Sequence, residues 1–456
     1  MKKVFIWLLI ISMVAAFSLY GCKAEEAAEE EVAEEEVAEE EVAEEETVAE
    51  VLPQPPIAIL INDSPWYPGF EVLVNQYMDE TDNAVIINLT PFSGMLEKSR
   101  NAVQADESEF DIINMNEQWY MQFYAGDLVT PILEIDQDFE LDPNIIEYAY
   151  ATRWDPEIGY SGPNGELYGL PINGNIQLYL YRKDLFEEQG VDVPQTWEEV
   201  EEVAKLFYNP PDMYGFSIRS IGGNWEYQAY LESYGTNIVS VNEDGQWEVG
   251  LASDAAIQAT ETWYRLGSTY GPKSFADMGQ AENVALMASG QLAQVHIVGA
   301  AAPGFQNPET SAVVDKIGAA VVPGGATMSG IWVMGIPHNL PDEQKVAALT
   351  FLKWALTKEA QLAYAFAGAI PVRQDVYEEL SDDPDLGWWM SAMAESTPFI
   401  RPQPRLAETA QIMEVVDRTN GKILINELSI EEALSGAALE IYNIMVDAGY
   451  DVKPLD

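Results

Sequence analysis

Cysteine is nearly absent from this 456-residue chain: Cys22 stands alone, so no intrachain disulfide and no cysteine-rich metal cluster can be built. Histidine is almost as scarce, with only His296 and His338. Nucleophilic catalysis that relies on a cysteine or a histidine base is therefore hard to assemble. The sequence has no Gly-x-Ser-x-Gly elbow, Walker-type phosphate loop, dinucleotide-type glycine pattern or EF-hand-like acidic loop. No cofactor and no metal are expected. Basic residues are few as well: 22 Lys and Arg face 76 Asp and Glu, for a formal net charge of −54. Such a surface repels phosphate backbones, which excludes nucleic acid as a partner and remains compatible with a small neutral ligand.

Aromatic residues, by contrast, are plentiful, with 12 Trp, 22 Tyr and 15 Phe in a chain that is 48% hydrophobic. Most of it must fold. At this length one hydrophobic core rarely suffices, and two lobes are the natural expectation. The acidity is not confined to one tract: 15 glutamates lie in residues 23–50, and beyond them 61 acidic residues still face 19 basic ones.

Lys2 and Lys3 precede an apolar run over residues 4–20, the basic and hydrophobic regions of a secretory signal. A run of about 17 residues is marginal for a membrane span, which needs about 20. Leu19-Tyr20-Gly21-Cys22 resembles the bacterial lipobox, so residues 1–21 read as a lipoprotein signal peptide and Cys22 as the site of lipidation. The period-five repeat Glu-Glu-Glu-Val-Ala follows. Five residues advance a helix by about 140°, so the Val-Ala pairs build no continuous apolar face. Residues 22–53 therefore read as a lipidated cysteine on an acidic, extended tether, ended by the proline-rich stretch 53–56.

The globular part opens with strand-like Ile57 to Ile61, then an amphipathic stretch from about Gly69 to Asp79. A strand from Ala84 to Leu89, a helix from about Gly94 to Gln104 and a strand from Phe110 to Met115 come next. This alternation predicts a mainly parallel α/β sheet with its ligand site beyond the carboxyl ends of the strands. Those ends carry Trp66, Tyr67, Phe92, Ser93, Asn116 and Trp119. Thr196 with Glu199 and Ser429 with Glu432 have the spacing of capping boxes and predict helix starts. A longer helix is expected from about Asp342 to Ala365.

Five stretches resemble the family 1 extracellular solute-binding proteins of ABC importers, the group that contains bacterial sugar-binding lipoproteins. Residues 178–186 (LYLYRKDLF), with Gly190 and then 194–199 (PQTWEE), are similar to the family segment "YNKDLFE..G...P.TWDE", with Arg182 where asparagine is usual. Residues 287–293 (MASGQLA), 329–337 (SGIWVMGIP), 368–373 (GAIPVR) and 401–404 (RPQP) supply the others, in the family's order. The resemblance implies a type II periplasmic-binding-protein fold: two α/β lobes joined by crossover strands, with the ligand trapped between them. Placed by motif, the crossovers fall near Gly169 to Ile176, Gln294 to Gly299 and Gly335 to Asn339. Lobe one is then 54–172 plus 297–336, and lobe two is 173–296 plus 337–456.

Sugar recognition needs flat apolar faces for C–H surfaces and amides, carboxylates or arginine for hydroxyl groups. The expected ligand-binding residues are Trp66, Tyr67, Trp119, Asn173, Asn175, Trp225, Trp332 and Arg373, whereas Trp197 and Trp354 are expected to pack inside helices. The implied function is that of a monomeric, non-enzymatic substrate-binding lipoprotein, which takes a sugar or oligosaccharide and hands it to the permease subunits of its importer. It would be exported and held by the lipid on Cys22 at the membrane, facing the periplasm or the cell exterior. Two alternatives stand beside it. One is a surface-anchored glycan-active enzyme, since carboxylate pairs suited to glycoside hydrolysis are available among so many acids. The other is a lipoprotein that binds a protein or a polymer.

Overall fold

The structure is a computed structural model that describes residues 54–242 and 245–455. The expected signal peptide, Cys22 and the acidic tether lie outside the described residues.

Strand β1 (Ile57–Asn62) buries almost every side chain because it pairs with a neighbour on each side, parallel to both β2 (Val85–Thr90) and β3 (Ile112–Asn116). β2 is the sheet edge, and there Ile86 and Leu89 come to the surface. Helix α1 (Tyr67–Thr81) starts on a proline in its first turn and turns Phe70, Leu73, Val74 and Tyr77 inward at helical spacing. It ends where Asp82 takes a left-handed conformation at φ 58°. Helix α2 (Phe92–Gln104) buries Met95, Ser99, Ala102 and Val103 in the same manner. The strands Trp332–Gly335 and Gly169–Asn173 complete this sheet, the first antiparallel to both β3 and the second.

A second sheet has Gln177–Arg182 at its centre, antiparallel to Gln294–Val298 on one side and to Ile317–Ala320 on the other. The chain thus leaves the first sheet at Asn173 and enters the second at Gln177. Both predicted capping boxes form: Thr196 starts the helix Trp197–Phe207 and Ser429 starts Ile430–Asp447.

Several expectations change. Gln294–Val298 does not cross back but runs the length of the second sheet, and Ile317–Ala320, expected in lobe one, pairs with Gln177–Arg182 in that sheet. The return comes later, in the stretch where Ser329 bridges Ile176 and Gly330 donates its N–H to the carbonyl of Asn175 at 2.9 Å. The single helix expected from Asp342 to Ala365 is two, Asp342–Ala355 and Lys358–Phe366. The Thr357 hydroxyl accepts from the N–H of Ala360 and so starts a new helix rather than continuing the old one. The first of the two, expected in lobe two, packs on α1 instead: Phe351 meets Tyr77 edge-on with ring centres 5.0 Å apart, and the Trp354 indole donates to Glu80 at 2.9 Å.

Candidate functional site

The carboxyl ends of β1 and β3 open on a cavity of about 310 Å3. Its first wall comes from the loop after β1, with Asn62, Asp63, Ser64 and Trp66, together with Phe92, Asn116 and Trp332. The register explains Trp332: it opposes Asn116, so the start of this antiparallel strand arrives at the end of β3. The facing wall comes from the second sheet's side, with Arg219, Gly222, Trp225 and Gln280, beside Val298 and Ala300. Asn175, Gly330 and Gln403, from the connecting segments, also line the cavity.

The first wall is a cluster of interlocked rings. Trp332 lies 6.2 Å from Trp66, 6.0 Å from Phe92 and 5.9 Å from Trp119, and Phe92 lies 5.2 Å from Trp119. Rings that fix one another in tilted and edge-on contacts present a stable apolar face. Across the cleft, Trp225 rests on Gly330: a methyl there would fall 2.4 Å from the indole, so only glycine allows this approach. Polar atoms accompany the rings. The side-chain oxygens of Asn62, Ser64, Asn175 and Gln403 and the indole nitrogens of Trp119 and Trp225 are buried without a hydrogen-bond partner in the chain. Buried polar groups are normally paired, so this concentration of unmatched donors and acceptors suits a ligand bearing many hydroxyl groups.

Beside the cleft, the fully buried Glu117 ties the connecting segments together. It accepts from the Arg405 guanidinium at 2.8 Å and from the Ser329 hydroxyl at 2.6 Å. Burial pushes its carboxyl above the ordinary glutamate value, against the pull of Arg405. Arg405 also donates to the carbonyls of Tyr148, at 2.6 Å, and Ala149, in a turn where Tyr148, Ala149 and Tyr150 are all left-handed, with φ of 47°, 56° and 69°.

Of the residues singled out from sequence, Trp66, Asn175, Trp225 and Trp332 line the cavity. Trp119 stands behind them, packed on Phe92 and Trp332. Asn173 is buried in its strand opposite Trp332, with both amide atoms unpartnered, and does not line the cavity. Tyr67 points away along α1, its hydroxyl 3.4 Å from Glu71. Arg373 does not reach the cleft either. Its guanidinium binds Asp142 and Asp375, both at 2.8 Å, and the carbonyl of Leu356 at 3.0 Å. Sequence reasoning passed over Asp63, Arg219 and Gln280. It noted Phe92 and Asn116 at strand ends and quoted Gln403 within a motif, without assigning any of them a role.

His296 is also remote from the cleft. It lies in the core beside Trp197 and Tyr230, its Nε2 2.6 Å from Gln177 Oε1, and burial depresses its pKa to about 3. It is neutral at physiological pH. Among the described residues, no group of three or more His, Cys, Asp or Glu side chains could hold a metal ion. None of the helices described is long and apolar enough to cross a membrane. A larger cavity of about 710 Å3 lies between Glu232, Asn237, Ser253 and residues 453–455, and it shares none of the cleft's lining residues.

Two sheets joined by crossing segments, with a ring-lined and hydroxyl-compatible cleft beside the junction, define a two-lobed binding protein. The model of the bacterial extracellular solute-binding proteins matches residues 73–387, and the chain belongs to that family. The mannitol-binding protein of Pseudomonas aeruginosa is 25% identical over 324 residues, covering 63% of this chain and 71% of that protein. The erythritol/L-threitol-binding protein of Mycolicibacterium smegmatis is 23% identical over 344 residues, 71% of each chain. Among solved structures, a maltose-bound protein of T. maritima superposes with a TM-score of 0.74 at 22% identity, covering 85% of this chain and 99% of that one. This likeness fixes the fold as that of the two-lobed α/β binding proteins.

Proposed function

We propose that this chain captures a neutral sugar or sugar alcohol in the cleft between its two sheets and delivers it to the permease of an ABC importer. The observation that carries the reading is the pairing of the Trp66–Phe92–Trp119–Trp332 cluster with unmatched amide and hydroxyl oxygens in one cavity. Pyranose rings and polyol chains offer C–H faces to the first and hydroxyl groups to the second. The polyol- and maltose-related names among the relatives and neighbours support the same ligand class. We draw lobe one as residues 54–173 plus 329–380 and lobe two as 174–328 plus 381–455, with closure as a hinge motion about the connecting segments. The chain acts by binding and release, without turnover, as a monomer.

A lipid on Cys22 and the acidic tether behind it would hold this receptor at the membrane surface, where the tether's charge keeps it extended. Fractionation tests the anchor: the full chain should follow the membrane and Cys22→Ser should be released.

The ligand reading is tested by thermal unfolding of the full chain in the presence of mannitol, erythritol, ribitol, maltose and longer oligosaccharides, with the sugars analysed afterwards. A saturable rise in the midpoint with the ligand recovered intact is expected, since a ligand that binds only the folded state stabilises it. Products would overturn the receptor reading, and the absence of any shift across the panel would overturn the sugar and polyol assignment.

A further inference from the structure

Arg219 is the only basic side chain lining the cavity among the described residues, and it does not present an open positive charge. Its Nη1 donates to Glu226 Oε1 at 2.9 Å and to Gln280 Oε1 at 3.2 Å, and its Nε donates to the carbonyl of Ile221 at 3.2 Å. The Nη2 edge is left beside Gly222, itself a lining residue. Glu226 sits in the first turn of the helix Asn224–Ser233, 2% exposed, and its second oxygen has no hydrogen-bond partner. It is not a lining residue.

Two further carboxylates belong to this neighbourhood. Asp417, held by the Asn224 amide at 2.6 Å, interacts electrostatically with both Arg219 and Glu226. Asp63 lines the opposite wall. One guanidinium therefore faces three acidic side chains, two of them on its own side of the cleft. In a partly desolvated cleft such charges act at far higher strength than in bulk water. A phosphate monoester, carrying about −1.5 to −2 charges at neutral pH, would enter against the net negative set. A hydroxyl group meets no such barrier: it can accept from the Nη2 edge of Arg219 and donate to Asp63 or Gln280.

We propose that Glu226 is a specificity determinant: by pairing with Arg219 from behind the wall it masks the cleft's cation, and so restricts the site to uncharged polyhydroxy solutes against their phosphorylated or carboxylate analogues. This rests on the cleft being the sugar and polyol site. Arg219 keeps its hydrogen-bonding geometry while its field is cancelled, so the same arginine that would recruit a phosphate in an unmasked site serves here as a neutral-ligand donor.

The test is a titration of the full chain and of Glu226→Gln with sn-glycerol 3-phosphate, followed by calorimetry at low and high salt. The amide can still accept from Arg219, but the compensating charge is gone. The variant is expected to bind glycerol 3-phosphate about tenfold or more tightly than the parent, with a gain that shrinks as salt rises. If circular dichroism shows that Glu226→Gln has lost its cooperative melt, Asp417→Asn, which removes a charge from the same neighbourhood, gives the reading in its place. No gain in the folded variant would overturn the masking role, as would a parent chain that already prefers glycerol 3-phosphate to mannitol. The phosphate titration is independent of any neutral ligand, so a failed sugar and polyol panel removes the proposed function without deciding the masking result.

Discussion

The two walls of the cleft are built on different physics. On the first, four rings from two loops, a helix start and a strand lock one another at centre distances of 5.2 to 6.2 Å. On the second, a single tryptophan lies on a glycine, and the rest is an arginine held by a buried glutamate and a glutamine. The first wall can meet the apolar face of a ligand before anything moves. The polar wall faces it across the same cavity and supplies the hydrogen-bonding groups. An aromatic platform of fixed shape and a polar partner that completes the hydrogen bonds is the division of labour that a closing receptor requires, because closure is stabilised only by contacts made to both sides.

The largest expected effect falls on what joins the walls. Glu117→Ala strands the Arg405 guanidinium in the interior and releases both Ser329 and the segment after Arg401. A loss of about 3–5 kcal/mol in denaturant unfolding is expected, since breaking a buried pair leaves an uncompensated charge. A change below about 1 kcal/mol, the scale of an exposed pair, would mean the walls are not referenced to a common support.

Next come the walls themselves. Trp66→Ala is expected to lower ligand affinity roughly 100-fold by titration calorimetry, and Trp225→Ala roughly tenfold, because the first removes part of an interlocked platform and the second a lone ring. The reverse order would break the comparison.

A smaller effect belongs to a site away from the cleft. Burial pushes the Glu232 carboxyl up to about 7, so the folded state holds its proton more tightly than the unfolded chain does. The stability this contributes is complete below about pH 4.5 and is lost as the pH climbs through 7, a swing of roughly 3 kcal/mol that Glu232→Gln should flatten in unfolding measured across that range. Since Glu232 lines the other cavity, ligand affinity should not follow it. The smallest effect is Thr357→Ala, expected to cost about 1 kcal/mol through the lost helix cap while leaving binding intact.

Features written in local sequence were legible in advance. The apolar run that became β1, the helical spacing of α1 and the two capping boxes need only neighbours a few residues away. Trp66 followed from its position after a strand. What stayed hidden depends on distant partners. Arg373 looked available until Asp142, more than 200 residues earlier in the chain, was found bound to it. Arg219 and Gln280 carry no local mark, since their place on the cleft arises only when the loop before one helix and the start of another meet at the same opening. The sheet partner of Ile317–Ala320 stayed hidden for the same reason: its pairing with Gln177–Arg182 links strands more than 130 residues apart.

The central claim is that this cleft reversibly binds a neutral polyhydroxy solute. Its most direct test is titration calorimetry of the full chain against a panel of sugars and sugar alcohols, with the ligand recovered and analysed. The account predicts saturable binding of one ligand per chain for at least one member, recovered unchanged. A panel with no binding heat, or a ligand returned as products, would contradict it.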